Sequence, residues 1–375
     1  MINCRDFLSL LNENEINFFT GVPDSLLKSF CAYVTENISP KNHVISANEG
    51  GAIALASGHH LSTGKIGLVY MQNSGQGNSI NPLVSLADPD VYGIPMLLLI
   101  GRRGEPGKPD EPQHVKQGKI TLDLLNALKI PYEILPDDFD NARAIMDRAI
   151  SYMKMNSSPY AIVVRKETFE PYQPQRTSDT FFELSREGAI KLVMNALSPQ
   201  DIVISTTGKI SRELFEYREE LRQTHDKDFL TVGSMGHSSQ IALGIALQKP
   251  EKQVYCLDGD GAVIMHMGSL AIIGQKAQEN FKHIVFNNGA HDSVGGQPTA
   301  GFEIDLPSIA KACGYKTALR AKTVEDLKEK IELLKTSEGP SFLEIVVNKG
   351  ARKDLGRPTT TPKDNKNNFM NSLSK

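Results

Sequence analysis

The sequence predicts an α/β protein made of two doubly wound, parallel-sheet domains of similar design. Three observations predict it. Short apolar runs rich in Val, Ile, Leu and Phe alternate with helical patterns along nearly the whole chain. The runs are apolar throughout, as strands of a parallel sheet covered on both faces must be. Residues 166–183, rich in Pro, Gln, Ser and Thr and without periodicity, divide the chain into halves with six such runs each.

In the first half the runs fall at 16–20, 43–46, 67–71, 96–100, 132–135 and 161–164. In the second they fall at 201–205, 229–232, 254–257, 283–286, 315–319 and 342–347. The expected organisation is a first domain over 1–168, a linker over 169–183 and a second domain over 184–349. Residues 350–375 are polar and read as a disordered tail or, through Arg352-Lys-Asp-Leu-Gly-Arg357, as a lid.

A chain of 375 residues exceeds a typical single core and fits two domains. Its net charge of −3, with no basic block, does not imply nucleic acid. No apolar run approaches membrane-spanning length, and the N-terminus has a polar helical pattern where a signal peptide would carry an apolar core. The cysteines (Cys4, Cys31, Cys256 and Cys313) form no CxxC pair. They read as reduced, mostly buried thiols, which leads to the expectation of a cytoplasmic enzyme.

Two polar turns carry the chemistry. Gly259-Asp260-Gly261 closes the run 254–257, a helical pattern covers 262–277, and Asn287-Asn288 closes the run 283–286. Both turns therefore stand at strand C-terminal ends, where open parallel sheets bind ligands. The glycine turn offers backbone N–H groups suited to phosphate. Asp260 offers a hard carboxylate and an Asn an amide oxygen, which together suit Mg²⁺. The two Asn stand 27 and 28 positions after Asp260. In the first half, Ser46-Ala-Asn-Glu49-Gly-Gly follows a strand and opens a Gly/Ala-rich helix, placing Glu49 where the helix dipole favours a carboxylate.

Taken with Gly21-Val-Pro-Asp-Ser25, Asn73-Ser-Gly-Gln-Gly-Asn78, Thr206-Thr-Gly-Lys-Ile-Ser-Arg212 and Gly233-Ser-Met-Gly-His237, these motifs resemble those of the thiamine-diphosphate-dependent decarboxylases. The resemblance spans both halves, about residues 20 to 300. It implies a pyrimidine-binding domain followed by a diphosphate-binding domain, both of the thiamine-diphosphate-binding type. The middle domain of larger members has no room here. Thiamine diphosphate and Mg²⁺ are the implied cofactors. Glu49 is implied at the pyrimidine ring, with Asn73, Gly75 and Asn78 in a matching cofactor segment. The Gly233 carbonyl would accept from the pyrimidine amino group, and Met235 would wedge beneath the cofactor. Asp260, Asn288 and the Ala290 carbonyl are the implied metal ligands, with Asn287 left open as the Asn. Gly259, Gly261 and Ala262 would serve the diphosphate, joined by Thr207 and Gly208 in a second turn that includes Thr206.

Catalytic candidates are Glu49, Asp24 and Ser25 in the matching turn, and His114 and His291 as proton donors in loops at strand ends. The resemblance points to members whose 2-oxo acid bears a phosphonate or, as the alternative, a sulfonate. Such a substrate calls for a cation, and Arg102, Arg103, Lys116, Lys209, Arg212, Arg352 and Arg357 are candidates. The family's domains meet across subunits, which implies a homodimer or larger homo-oligomer with active sites at the interface.

Other readings fit less well. Gly58 and Gly64-Lys65 are separated by five residues and followed by Ile66, which breaks a P-loop. Gly75-Gln-Gly77 lacks the third glycine of a dinucleotide fingerprint. A carboligase of the same cofactor class and a non-catalytic diphosphate-binding protein complete the alternatives; decay of the site would be expected to remove Glu49 or Asp260, and both are present.

Overall fold

The structure is a computed structural model that describes residues 1–175 and 180–374. The chain divides into two compact units, 1–177 and 178–375. All twelve apolar runs are strands. In unit 1 these are β1 (Phe19–Gly21), β2 (His43–Ile45), β3 (Gly67–Gln72), β4 (Met96–Gly101), β5 (Tyr132–Ile134) and β6 (Tyr160–Val164). In unit 2 they are β7 (Ile202–Ser205), β8 (Asp228–Leu230), β9 (Val254–Gly259), β10 (Phe281–Asn287), β11 (Thr317–Ala321) and β12 (Ser341–Val346).

Every pairing within these sheets is parallel. The orders are β2-β1-β3-β4-β6-β5 and β11-β12-β10-β9-β7-β8. Counted within each unit, both sheets follow 2-1-3-4-6-5, so one topology occurs twice. In each, the order reverses beside the unit's first strand, between β1 and β3 and between β7 and β9. Such a reversal opens a crevice at the strand C-terminal ends.

The strands are continuous apolar runs because each sheet has a core on both faces. Along β4, Leu97 and Leu99 enter one cluster with Phe7, Phe30 and Tyr70. Met96, Leu98 and Ile100 enter the other with Ile53 and Val69. Unit 2 repeats the pattern: Tyr255 and Leu257 face one core, Val254 and Cys256 the other.

The helix Glu49–Thr63 starts where the Asn48 side chain accepts the Gly51 N–H and stops at Gly64, whose φ of 70° ends it in the left-handed conformation. The single helix expected over 262–277 is two, Asp260–Met265 and Gly268–Lys276. His266 leaves helical geometry (φ −132°, ψ 50°), and its ring packs 4.4 Å from that of His237.

Part of the expected linker, 176–179, lies outside the described residues. The preceding stretch is tied to unit 1. Ile2 bonds on both sides of Phe169, whose ring packs against Phe7 and Phe30. The expected tail or lid contains a helix, Pro362–Leu373, capped by Thr361. Its Phe369 is buried against Phe229 of β8, and Ser372 donates to the Asp226 carbonyl. The helix thereby covers an edge strand, which is why these polar residues are ordered. Among the described residues, no helix is long and apolar enough to cross a membrane.

Candidate active site

In unit 2, β9 delivers Gly259, and Asp260 opens the next helix, where its charge suits the N-terminus. Asp260 is 2% exposed. Its carboxylate accepts from Thr299 Oγ1 and, at 3.4 Å, from the Asn288 N–H. No lysine or arginine pairs with it among the described residues. Burial pushes its pKa up to about 6, against the pull of the Thr299 hydroxyl. A carboxylate this deep without a counter-charge is costly, and a bound cation removes the cost.

Asp260 packs closely against Gly301. The point where a Cβ would stand on Gly301 is 2.6 Å from Asp260 Oδ2 and 2.6 Å from Asn287 Oδ1. Two hard oxygens thus approach Gly301 more closely than any larger residue there would allow, and hard oxygens are the donors a divalent cation takes. The resemblance implies Asn288 at the metal with Asn287 left open; the Asn287 side chain packs with Asp260 against Gly301, its Nδ2 donating to the Gly301 carbonyl and to Glu344 and its Oδ1 accepting the Gly289 N–H. Consecutive residues leaving a strand point to opposite sides. Asn288 therefore meets Asp260 through its main chain, while its Nδ2 donates to Asp292 at 2.9 Å and its Oδ1 accepts the Ala290 N–H at 3.1 Å.

Ala290 faces Pro298 in an antiparallel bridge flanked by bonds from His291 N to the Gln297 carbonyl and from Thr299 N to the Gly289 carbonyl. This return loop brings Thr299 to Asp260. Thr299, Gly301 and the buried Gln297, whose side-chain polar atoms lack partners, carry no sequence motif and were not anticipated. On the other side of the turn, the Cβ point of Gly261 lies 3.3 Å from both His291 Cε1 and Met235 Cε. Gly261, Met235 and His291 therefore meet. Burial lowers the His291 pKa to about 4, so its ring is neutral at pH 7. The segment Gly233–His237 reaches this point through Ser234 and Gly236, both at positive φ, with Gly236 close against the Ala262 carbonyl.

In unit 1, Glu49 is 5% exposed, and its Oε2 accepts from Asn78 Nδ2 at 2.8 Å. A Cβ on Gly75 would stand 2.2 Å from Glu49 Oε1, so that glycine makes room for the carboxylate. Asn73 has a different role from its neighbours. It is fully buried, donates to the Arg103 carbonyl and Thr121 Oγ1, both at 2.8 Å, and accepts the Arg103 N–H. It braces the end of β3 against the end of β4.

Asp24 is sealed in. Gln72 Nε2 donates to it at 2.6 Å and the Leu26 N–H at 3.0 Å, and Gly101 leaves it space. Burial raises its pKa above the usual carboxylate range. Ser25 Oγ accepts from Arg103 Nη1 at 2.8 Å, and Arg103 is clamped by Asp110 through Nε and Nη2. The buried His114 has an unpartnered Nδ1, and burial together with Arg103 lowers its pKa. Among the other cations, Arg102 donates to the Gly118 carbonyl. Arg352 pairs with Glu187, Glu216 and Asp354. Lys209 stands 3.9 Å from Asp292.

Comparison with known proteins bears on both halves. Residues 5–126 match the N-terminal TPP binding domain of thiamine pyrophosphate enzymes, and residues 206–345 match the C-terminal TPP binding domain. Phosphonopyruvate decarboxylase of Streptomyces viridochromogenes is 34% identical over 96% of this chain and 92% of its own length. Sulfopyruvate decarboxylase of Methanosarcina acetivorans is 26% identical over 92% of this chain and 90% of its own. The sulfopyruvate decarboxylase subunit beta of Methanococcus maripaludis is 34% identical over 52% of this chain and its own entire length. The two domain matches and the near-complete alignment to a decarboxylase cover both strand edges described above, and the chain belongs to the family of thiamine-pyrophosphate-dependent decarboxylases.

Proposed function

We propose that this enzyme decarboxylates 3-phosphonopyruvate to phosphonoacetaldehyde and CO2 with thiamine diphosphate and Mg²⁺. The observation that carries the substrate is the undivided alignment with the Streptomyces phosphonopyruvate decarboxylase along 96% of this chain. Sulfopyruvate is the second reading, favoured by the single-chain relative from Methanosarcina acetivorans.

Bound thiamine diphosphate supplies the electron sink for the pair released as CO2 departs. The chain's own residues hold and tune it. Asp260 and one Asn of the pair, Asn288 with Asn287 as the alternative, would offer Mg²⁺ side-chain oxygens, with the Ala290 carbonyl a third donor and the Asn288 main chain holding the loop to Asp260. The turn of Gly259, Gly261 and Ala262 presents N–H groups to the diphosphate, and the turn at Thr207 and Gly208 adds to it. The Gly233 carbonyl would accept from the pyrimidine amino group, and Met235, which lies against Gly261, would support the bound cofactor. Glu49 would act on the pyrimidine ring, its carboxyl fixed by the Asn78 amide at Oε2.

His291 and His114 act as neutral N–H donors to the reacting acid. Asp24, whose pKa burial raises, stands beside Ser25. A working unit of at least two copies follows from the family reading. The groove along the exposed side of the helix Glu49–Thr63, lined by Gly51, Ala54 and Gly58, lets another chain approach closely. Buried, unpaired cysteines suit a reducing cytoplasm.

The test is a decarboxylation assay with and without thiamine diphosphate and Mg²⁺, comparing phosphonopyruvate, sulfopyruvate and pyruvate. The expected result is cofactor-dependent turnover with the highest kcat/KM for phosphonopyruvate. Turnover of pyruvate alone overturns the substrate, and an active monomer by size-exclusion chromatography overturns the assembly.

A further inference from the structure

The core of unit 2 contains a group of polar side chains that the ligand edge does not use. Cys256 and Asp258 stand two positions apart on β9, so both point to one face of the sheet. His283 on β10 is the register partner of Cys256. Its ring packs against those of Tyr315 and Phe342, which share a core cluster with Cys256. All three side chains are buried. Their thiol sulfur, carboxylate oxygen and imidazole nitrogen lie within 4.8 Å of one another.

Such a group is costly in a core left to itself. His283 Nε2 stands 3.4 Å from Asp258 Oδ2 and makes no hydrogen bond. Asp258 Oδ1 accepts the N–H of the next residue, Gly259, at 3.0 Å. No lysine or arginine pairs with Asp258 among the described residues. The hydroxyl of Ser238, buried beside Cys256 at the start of the helix Ser238–Gln248, also has no hydrogen-bond partner. Buried polar atoms without partners destabilise a fold unless something satisfies them.

One divalent cation satisfies them together. Tetrahedral zinc holds nitrogen and oxygen ligands at about 2.0–2.1 Å, which sets two such ligands about 3.3 Å apart. The separation of His283 Nε2 and Asp258 Oδ2, 3.4 Å, matches that edge. A thiolate, an imidazole and a carboxylate suit zinc, whereas Mg²⁺ takes oxygens. The thiolate and carboxylate charges balance the charge of the ion, so the loaded site adds no net charge to the core. The imidazole is also held as a ligand would be. Its Nδ1 lies 3.1 Å from the Tyr315 hydroxyl, and a proton donated from Nδ1 to that oxygen leaves the Nε2 lone pair for the metal. The Ser238 hydroxyl is available for the fourth corner.

We propose that Cys256, Asp258 and His283 bind one zinc ion, a structural metal separate from the Mg²⁺ of the Asp260 turn. It ties β9 to β10, the two strands that lead into Gly259-Asp260-Gly261 and Asn287-Asn288. The site is closed, so the ion enters as the chain folds, and the thiol proton is released to solvent. This inference does not depend on the decarboxylase reading.

The full-length protein is purified without chelator, in Mg²⁺ buffer, from cells grown in minimal medium with zinc or with cobalt. Metal analysis of the zinc-grown protein should find about one zinc per chain. The cobalt-grown protein should show a thiolate-to-cobalt charge-transfer band in the near ultraviolet, which a site made of oxygens, such as that at Asp260, cannot give. Cys256→Ser should lose the band and His283→Gln the bound metal, whereas Asp260→Ala should keep both. Wild type with neither zinc nor the cobalt band overturns the proposal, and that result needs no variant to fold. A band that survives Cys256→Ser also overturns it, because another thiol then holds the metal.

Discussion

The two units share one strand order, yet their ligand edges are built from opposite chemistry. At the unit 1 edge, two buried carboxyls, Glu49 and Asp24, are gripped by neutral amide donors, Asn78 and Gln72. The contact that Glu49 makes brings it neither a cation nor a second hard oxygen, so the edge is suited to directing that carboxyl at a polar ring. At the unit 2 edge, oxygens of Asp260 and Asn287 both lie close against Gly301, and Thr299 and the Asn288 main chain steady Asp260. That edge is suited to a cation and the phosphates it carries. The repeated topology sets where functional groups stand, and residue type alone decides what each edge does.

The sharpest way to break this contrast is to remove the metal-facing carboxylate. Asp260→Ala should lower kcat/KM by at least about a thousandfold, since it deletes a buried hard ligand. Titration with Mg²⁺ should show no saturation in the millimolar range. Saturation at the wild-type concentration would mean that Asp260 is not a metal ligand. Glu49→Gln tests the other edge. Turnover should fall at least about a hundredfold while calorimetric binding of Mg²⁺ and thiamine diphosphate persists. Equal loss of binding in both variants would erase the division of labour.

Two glycines sharpen the comparison further, because each keeps space for a carboxylate. Gly301→Ala places a methyl at the point 2.6 Å from Asp260 and Asn287. It should raise the Mg²⁺ concentration for half-maximal activity about tenfold or more. Gly75→Ala places one 2.2 Å from Glu49 Oε1. It should reduce kcat with little change in Mg²⁺ dependence, and cost about 1–3 kcal/mol of stability through overpacking. Reversal of these two signatures would show that the edges have been assigned the wrong way round.

Much of this was legible in the chain, for physical reasons that also explain what was not. Strands covered on both faces must be apolar throughout, so all twelve were readable as continuous runs. Glu49 and Asp260 announced themselves because each sits at a strand-to-helix turn marked by glycine. The choice between Asn287 and Asn288 was not legible. It depends on where β10 ends, and one residue of extension turns the other side chain toward Asp260. Thr299 and Gly301 reach the site by a return loop that has no periodicity to read. The Pro362–Leu373 helix looked like a solvated tail because a helix covering one strand needs few apolar anchors, here chiefly Phe369.

The smallest effect expected concerns acid stability in unit 1. His43 on β2 has its Nε2 2.9 Å from the Tyr70 hydroxyl on β3, and burial lowers its pKa from 6.5 to about 4. Burial also holds the Tyr70 hydroxyl protonated, so it donates and the neutral imidazole accepts. Protonating His43 would set two donors against each other. The unfolded chain takes up that proton near pH 6.5 and the native chain only near pH 4, so stability rises with pH between them. The contribution is complete above about pH 6.5 and erodes as pH falls toward 4, by about 1–3 kcal/mol in all. Urea unfolding of wild type and His43→Gln at pH 7 and pH 4.5 measures it, with tyrosine fluorescence as the probe. Wild type should lose more stability than His43→Gln over that interval. Equal losses would show that the His43–Tyr70 pair is not what makes unit 1 acid-sensitive.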